Sequence, residues 1–141
     1  MKVLKISLLL LIVFSLMSGI SYGQTAKDYY DKGIAYANKG MLDQAIAEYK
    51  KAIKINPNDA MAHNNLGAAY LKKGMYDEAM AECKKALEIN PNYATAHMNL
   101  AVAYYYKEEY SLAIKHCDRA IELGYEVHPE LLKALEPYRE R

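Results

Sequence analysis

A chain of 141 residues carries 18 basic and 17 acidic side chains, four histidines and two cysteines. Once an N-terminal segment is discounted, that length holds one domain, since domains usually run to ~100–200 residues. A net charge of +1 lacks the basic field that nucleic-acid binding needs and excludes that class of partner.

The chain opens Met1-Lys2-Val3-Leu4-Lys5, then runs almost wholly apolar from Ile6 to Met17, broken by Ser7 and Ser15, and reaches Ser21-Tyr22-Gly23. A positive start, a short apolar run and small residues before a cleavage point define a secretory signal, with cleavage expected between Gly23 and Gln24. Ile6 to Ile20 is shorter than the ~20 residues of a spanning helix; an uncleaved anchor is the alternative. No cysteine stands near the cleavage point for lipid attachment. Losing Lys2 and Lys5 leaves sixteen basic against seventeen acidic side chains, a net charge of −1. The mature protein, residues 24–141, is expected to be soluble, periplasmic or extracellular, and not inserted in a membrane.

From Ala26 onward the chain repeats itself in blocks of 34 residues, 26–59, 60–93 and 94–127. The first two agree at 18 of 34 positions and the second and third at 13, with no gap needed to keep register, so the units are related. Apolar and small residues recur three and four apart, predicting helices over Ala26–Lys39, Leu42–Ile55, Ala60–Lys73, Tyr76–Ile89, Ala94–Lys107 and Tyr110–Leu123. Gly40 and Gly74 stand where a left-handed residue closes the first helix of a pair, and Glu108 takes the third such turn less comfortably. Asn56-Pro57 and Asn90-Pro91 end the second helices, with Asn expected in the left-handed position; the third ends at Gly124. Gly33 and Gly67 lie inside helices, at about 1 kcal/mol each relative to Ala, which calls for close helix approach, with Ala45 and Ala79 as the facing small residues. Pro129 to Pro137 reads as a short capping helix that turns Leu131, Leu132 and Leu135 inward to cover the last pair.

The aligned residues read Tyr29-x2-Lys32-Gly33-x2-Tyr36 with Ala45-x3-Tyr49 and Pro57, then His63-x2-Leu66-Gly67-x2-Tyr70 with Ala79-x3-Cys83 and Pro91. The third block reads His97-x2-Leu100-Ala101-x2-Tyr104 with Ala113-x3-Cys117. This pattern resembles the tetratricopeptide repeat (TPR) family over Ala26 to about Val127. It departs where Tyr29, His63 and His97 replace Trp, where Lys32 replaces Leu, and where Tyr125 replaces Pro. The resemblance implies an all-α fold of three helix-turn-helix repeats stacked in a right-handed superhelix with a C-terminal capping helix. It also implies that Cys83 and Cys117 hold the place of the family's Phe. As equivalents on stacked helices ~8–10 Å apart they lie beyond the ~7 Å Cα limit of an unstrained disulfide and are read as buried small hydrophobes. His63 and His97 recur along the stack and inherit the aromatic packing role, so no metal or other cofactor is expected.

No G-x-S-x-G, G-x-x-x-x-G-K-[ST], H-E-x-x-H or C-x-x-C-H occurs, and no enzyme activity is expected. The resemblance implies a concave groove lined by the first helices, and its groove positions select Tyr30, Asn64, Asn65, Met98, Asn99, Tyr105 and Tyr106 for a protein or peptide partner. Met adapts, Tyr anchors, and a side-chain amide pairs with the backbone of any sequence. Asn65 and Asn99 either do this or hold neighbouring segments of the protein itself. Some TPR domains grip acidic chaperone tails with a basic clamp, of which only Asn65 is in place: Tyr30 and Ile34 stand where a base and Asn would, and Thr95 and Asn99 replace two bases. The alternative function is a structural or assembly subunit of a cell-envelope complex, docking by its ends or convex face. The charged residues of the second helices, Asp43, Glu48, Lys50, Glu82 and Lys84 among them, read as a solvated outer face. Oligomeric state stays open, with Tyr76 and Tyr110 as exposed faces on which copies would pack.

Overall fold

The computed structural model describes residues 23–139; the N-terminal segment read as a secretory signal lies, apart from Gly23, outside the described residues. Among these residues there are seven helices: α1 Ala26–Asn38, α2 Leu42–Ile55, α3 Ala60–Lys72, α4 Tyr76–Ile89, α5 Ala94–Tyr106, α6 Tyr110–Glu122 and α7 Pro129–Arg139. The first three pairs are the three repeats, and α7 is the cap. Each helix packs chiefly on its pair mate, each second helix leads onto the next pair, and α3 also meets α5. First helices therefore form one layer and second helices the other. No helix among the described residues is long and apolar enough to cross a membrane.

Local chemistry sets the boundaries. Thr25 opens α1 with a reciprocal cap: its Oγ1 accepts from the Asp28 backbone N–H at 3.2 Å, while Asp28 Oδ2 accepts from the Thr25 N–H at 2.7 Å. Asp59 caps α3 through the Met61 and Ala62 N–H groups. The first helices stop one residue earlier than their periodicity suggests, because the turn takes over the last backbone bonds. Met41, Met75 and Glu109 donate to the carbonyls of Tyr36, Tyr70 and Tyr104, a closure that places Gly40, Gly74 and Glu108 at φ +74°, +73° and +62°. Glu108 thus adopts a conformation that costs a residue with a Cβ ~1–2 kcal/mol.

The second helices end differently from expectation. Asn56 and Asn90 are extended, at φ −125° and −132°, not left-handed, because a following proline pushes its predecessor out of helical space. Each Asn Oδ1 instead accepts from the N–H two residues on, at 3.3 and 3.2 Å. Pro137 does not end α7 either. It sits inside the last turn, and the helix runs on to Arg139, whose guanidinium grips both carboxylate oxygens of Asp118 on α6.

Burial follows the small residues. Ala45, Ala62, Ala79, Ala86, Ala96, Ala101, Ala113 and Ala120 have no exposed surface, so backbones approach closely. One core cluster joins Tyr49, Leu66 and Tyr70 across the first two repeats; the other joins Cys83, Leu100, Tyr104, Cys117 and Leu135 across the last two and the cap, with Leu131 and Leu132 partly buried against it. Both cysteines are free and buried. Burial pushes the Cys83 thiol up to about 12, which keeps it protonated and unreactive. The glycine partners differ from those expected at one site: a Cβ on Gly33 would meet the Tyr49 ring rather than Ala45, whereas one on Gly67 would meet Cys83 Sγ and the Ala79 carbonyl. Between repeats, Lys73 pairs with Asp43 and Lys107 with Asp77, the same link one repeat apart.

The histidines are polar ties as well as aromatic fillers, because each lies opposite a hydrogen-bonding residue nineteen positions on. His63 turns Nδ1 to Glu82 Oε2 at 2.7 Å and Nε2 to the Pro57 carbonyl at 2.9 Å, so Glu82 is not part of a solvated face. His97 turns Nε2 to the Pro91 carbonyl at 3.0 Å, but its Nδ1 meets His116 Nδ1 at 2.9 Å. Tyr104 also stacks on His116, ring centroids 5.6 Å apart. In the first repeat Tyr29 takes the histidine's place, and Glu48 Oε2 is left buried with no partner among the described residues.

Stability acquires a pH dependence from this pair. Burial, then His97, Lys115 and Lys84, lower His116 from 6.5 to about 4. As pH falls from about 6.5 to about 4 the unfolded chain takes a proton that the folded chain refuses, so this contribution to stability is lost across that window. Unfolding by circular dichroism should show Tm falling by several degrees from pH 7 to 4.5, allowing for the partial exposure of the ring. His116→Glu sets a carboxylate opposite His97, as Glu82 stands opposite His63, and should flatten or reverse that slope above pH 5. An unchanged slope in the variant would place the acid sensitivity elsewhere.

Candidate peptide-binding groove

The exposed surface of α1, α3 and α5 forms one face, and the seven candidate residues occupy it unequally. Tyr106 is open to solvent, and Tyr30, Asn65, Asn99 and Tyr105 are half-buried. Asn64 and Met98 are only 3% and 8% exposed. These two hold the fifth position of their blocks, and in each case the next element along the stack lies over the side chain. Asn64 meets Asn99 of α5, and Met98 borders the loop that carries Tyr125 to Pro129. A partner on this face therefore finds little of either side chain.

The amides form a hydrogen-bonded chain across all three repeats. Asn99 Nδ2 donates to Asn64 Oδ1 at 2.9 Å, Asn64 Nδ2 to Asn65 Oδ1 at 3.3 Å, and Asn65 Nδ2 to the Tyr30 hydroxyl at 2.9 Å. Tyr30 in turn leans on the Tyr49 ring at 5.9 Å. Burial, and secondarily the Asp59 carboxylate, push the Tyr30 phenol above its ordinary value, so it keeps the proton it can donate while accepting from Asn65. Asn64 and Asn65 spend amide capacity on each other and on neighbouring repeats, which locks the repeats in register. Asn99 has no donor to its Oδ1 among the described residues and a second N–H besides. The ends of the chain, Tyr30 and Asn99, keep capacity to spare.

Open space lies on either side. A cleft of about 270 Å³ runs between α1 and α3, walled by Ile34, Ala37, Asn38, Asn65, Ala68 and Lys72. At the other end, a cleft of about 370 Å³ separates Val102, Tyr105 and Tyr106 of α5 from Leu131 and Ala134 of the cap. The cap thus serves the groove as well as the core. Tyr76 and Tyr110 are not free faces: Tyr76 stacks on Tyr106 at 4.9 Å and Tyr110 on Tyr138 at 3.6 Å.

Stacked helix pairs, small residues at their contacts, a first-helix face left open and a terminal cap define a helical-repeat solenoid built for contact with other chains. The profile described as TPR repeat matches residues 33–74, and the tetratricopeptide repeat profile matches 60–93 and 94–123. The chain belongs to the tetratricopeptide repeat family. Solved relatives agree. The first TPR of Spaghetti (RPAP3), bound to the HSP90 peptide SRMEEVD, is 25% identical, with TM-score 0.76 over 82% of this chain and 94% of that one. The TPR2B domain of yeast Sti1, in its pHsp70 complex, is 30% identical, with TM-score 0.74 over 81% and 98%. The Arabidopsis OM64 TPR domain shares the fold at 23% identity and TM-score 0.78, over 81% and 96%. No curated protein matches the chain.

Proposed function

We propose that this protein is an exported interaction scaffold that holds an extended peptide or partner segment on the open face of α1, α3 and α5. The observation that carries the reading is the pair of clefts on that face, one walled by Asn65, together with an amide chain whose two ends keep unspent hydrogen-bonding capacity. The relatives solved with an HSP90 peptide and with pHsp70 support a peptide as occupant. The role read here is binding rather than catalysis: the amides and phenols gathered on the face recognise a chain by donating and accepting hydrogen bonds. The contact set narrows to Tyr30, Asn65, Asn99, Tyr105 and Tyr106, with Asn64 and Met98 supporting from beneath.

A photocrosslinking residue placed at Asn99 or Tyr106 should capture a partner from the envelope or secreted fraction, whereas one at Lys50 or Lys84 on the opposite layer should not. Capture only from the Lys50 and Lys84 positions would replace this reading with docking by the convex face. With the partner in hand, Asn99→Ala should weaken binding about fivefold, one hydrogen bond's worth, and also lower Tm by several degrees, because buried Asn64 Oδ1 loses its donor.

A further inference from the structure

At the cap end of the groove five tyrosines from four helices meet edge to edge and face to face. Tyr76 stacks on Tyr106 with ring planes 6° apart, Tyr106 meets Tyr105 edge-on at 5.6 Å, Tyr105 meets Tyr110 edge-on at 5.8 Å, and Tyr110 stacks on Tyr138. Each ring packs against the next, yet Tyr106 remains 57% exposed. Two clefts of about 370 Å³ each border the belt. One carries Glu130 beside Tyr105 and Tyr106; the other carries Glu108 and Glu109 beside Tyr110 and Tyr138. No lysine or arginine lines either cleft. Among the described residues Glu108 and Glu109 join no ion pair, and Glu130 has only His128 at 3.9 Å. Glu108 also holds its carboxylate here from a left-handed turn where the other repeats carry glycine.

We propose that this tyrosine belt takes a basic segment of the partner, an extended stretch bearing arginine, with a guanidinium laid on the exposed ring of Tyr106 and paired to Glu130, which shares its cleft. An aromatic ring presents negative potential to a cation above its face, and the planar guanidinium stacks there while its N–H groups reach a carboxylate. The nearby unpaired carboxylates add attraction of the same sign, so both features select the same partner charge. This is opposite in sign to the acidic SRMEEVD peptide held by the first TPR of Spaghetti. The inference rests on the open face being a binding surface and names the chemistry of what occupies its cap end.

Fluorescence-anisotropy titration of the full-length protein tests it with two labelled ten-residue peptides, alternating Gly-Arg and alternating Gly-Glu. The arginine peptide should bind at least about tenfold more tightly at low salt. Tyr106→Ala should weaken it about fivefold and Tyr106→Phe should not, since the ring carries the interaction. Glu108→Gln with Glu109→Gln and Glu130→Gln should weaken it further and flatten the salt dependence. Equal or tighter binding of the glutamate peptide overturns the proposal, as does arginine-peptide binding indifferent to Tyr106→Ala, or no binding of the arginine peptide. If Asn99 and Tyr106 probes still capture a partner in any of those cases, the groove stands and only its charge preference falls. If they capture nothing, the groove reading has failed as well.

Discussion

Gly33→Ala is expected to destabilise the protein by about 1–2 kcal/mol, whereas Gly67→Ala, the same change one repeat on, should be close to neutral. A methyl on Gly33 would lie 2.5 Å from Tyr49 Cε1 and 3.1 Å from its Cγ. That ring is 2% exposed and rests against Tyr30, so it can withdraw only by moving α1 and α2 apart. Overpacking of this kind costs about 1–3 kcal/mol, offset by about 1 kcal/mol of helix propensity gained over glycine. At Gly67 the crowding atom is Cys83 Sγ, 2.6 Å away, with the Ala79 carbonyl at 3.2 Å. The third repeat shows that such a pair is tolerated, because Ala101 and Cys117 occupy the equivalent positions and both are fully buried. Thermal unfolding of the two variants should separate them by roughly 5 °C or more. Equal losses would mean that the ring at Tyr49 is not what makes glycine necessary in the first repeat.

The second large effect is expected at Leu100. It is 1% exposed in the cluster that joins the second repeat, the third and the cap. Leu100→Ala removes buried methyl groups and leaves a cavity inside a cluster that also holds Cys83, Tyr104, Cys117 and Leu135, whose packed side chains relax only partly to fill it. The loss should be about 2–5 kcal/mol. Repeat arrays derive stability from nearest-neighbour interfaces, so a weakened interface also weakens cooperativity. Hydrogen exchange should then show α5 to α7 opening ahead of α1 to α3. Uniform exchange across the three repeats, at the reduced stability, would show that the array still unfolds as one unit.

The helices were legible because their signal is local. The 34-residue period, the three-and-four spacing of apolar residues and the turn glycines each depend on a few neighbours along the chain, and helix boundaries agreed to within a residue or so except in the last turn of α7. Asn56 and Asn90 were misread for a local reason too, since the conformational effect of Pro57 and Pro91 on their predecessors outweighs the tolerance of Asn for left-handed backbone. Site residues were legible only as positions. Block register selected Asn64 and Asn99 alike, but whether an amide faces a partner or a neighbouring repeat depends on the helix that stacks over it, and α5 covers Asn64 while leaving Asn99 with capacity to spare.

What the sequence by itself determined is the repeat: how many helix pairs there are, where they turn, and which small residues let them approach, because helical periodicity is written in adjacent residues. Only the tertiary structure decided which side chains meet across nineteen or thirty-five positions. His97 against His116, Asn65 against Tyr30 and the belt from Tyr76 to Tyr138 are products of helix stacking. Their partners are chosen by interhelical geometry and rotamer, which no short-range spacing encodes.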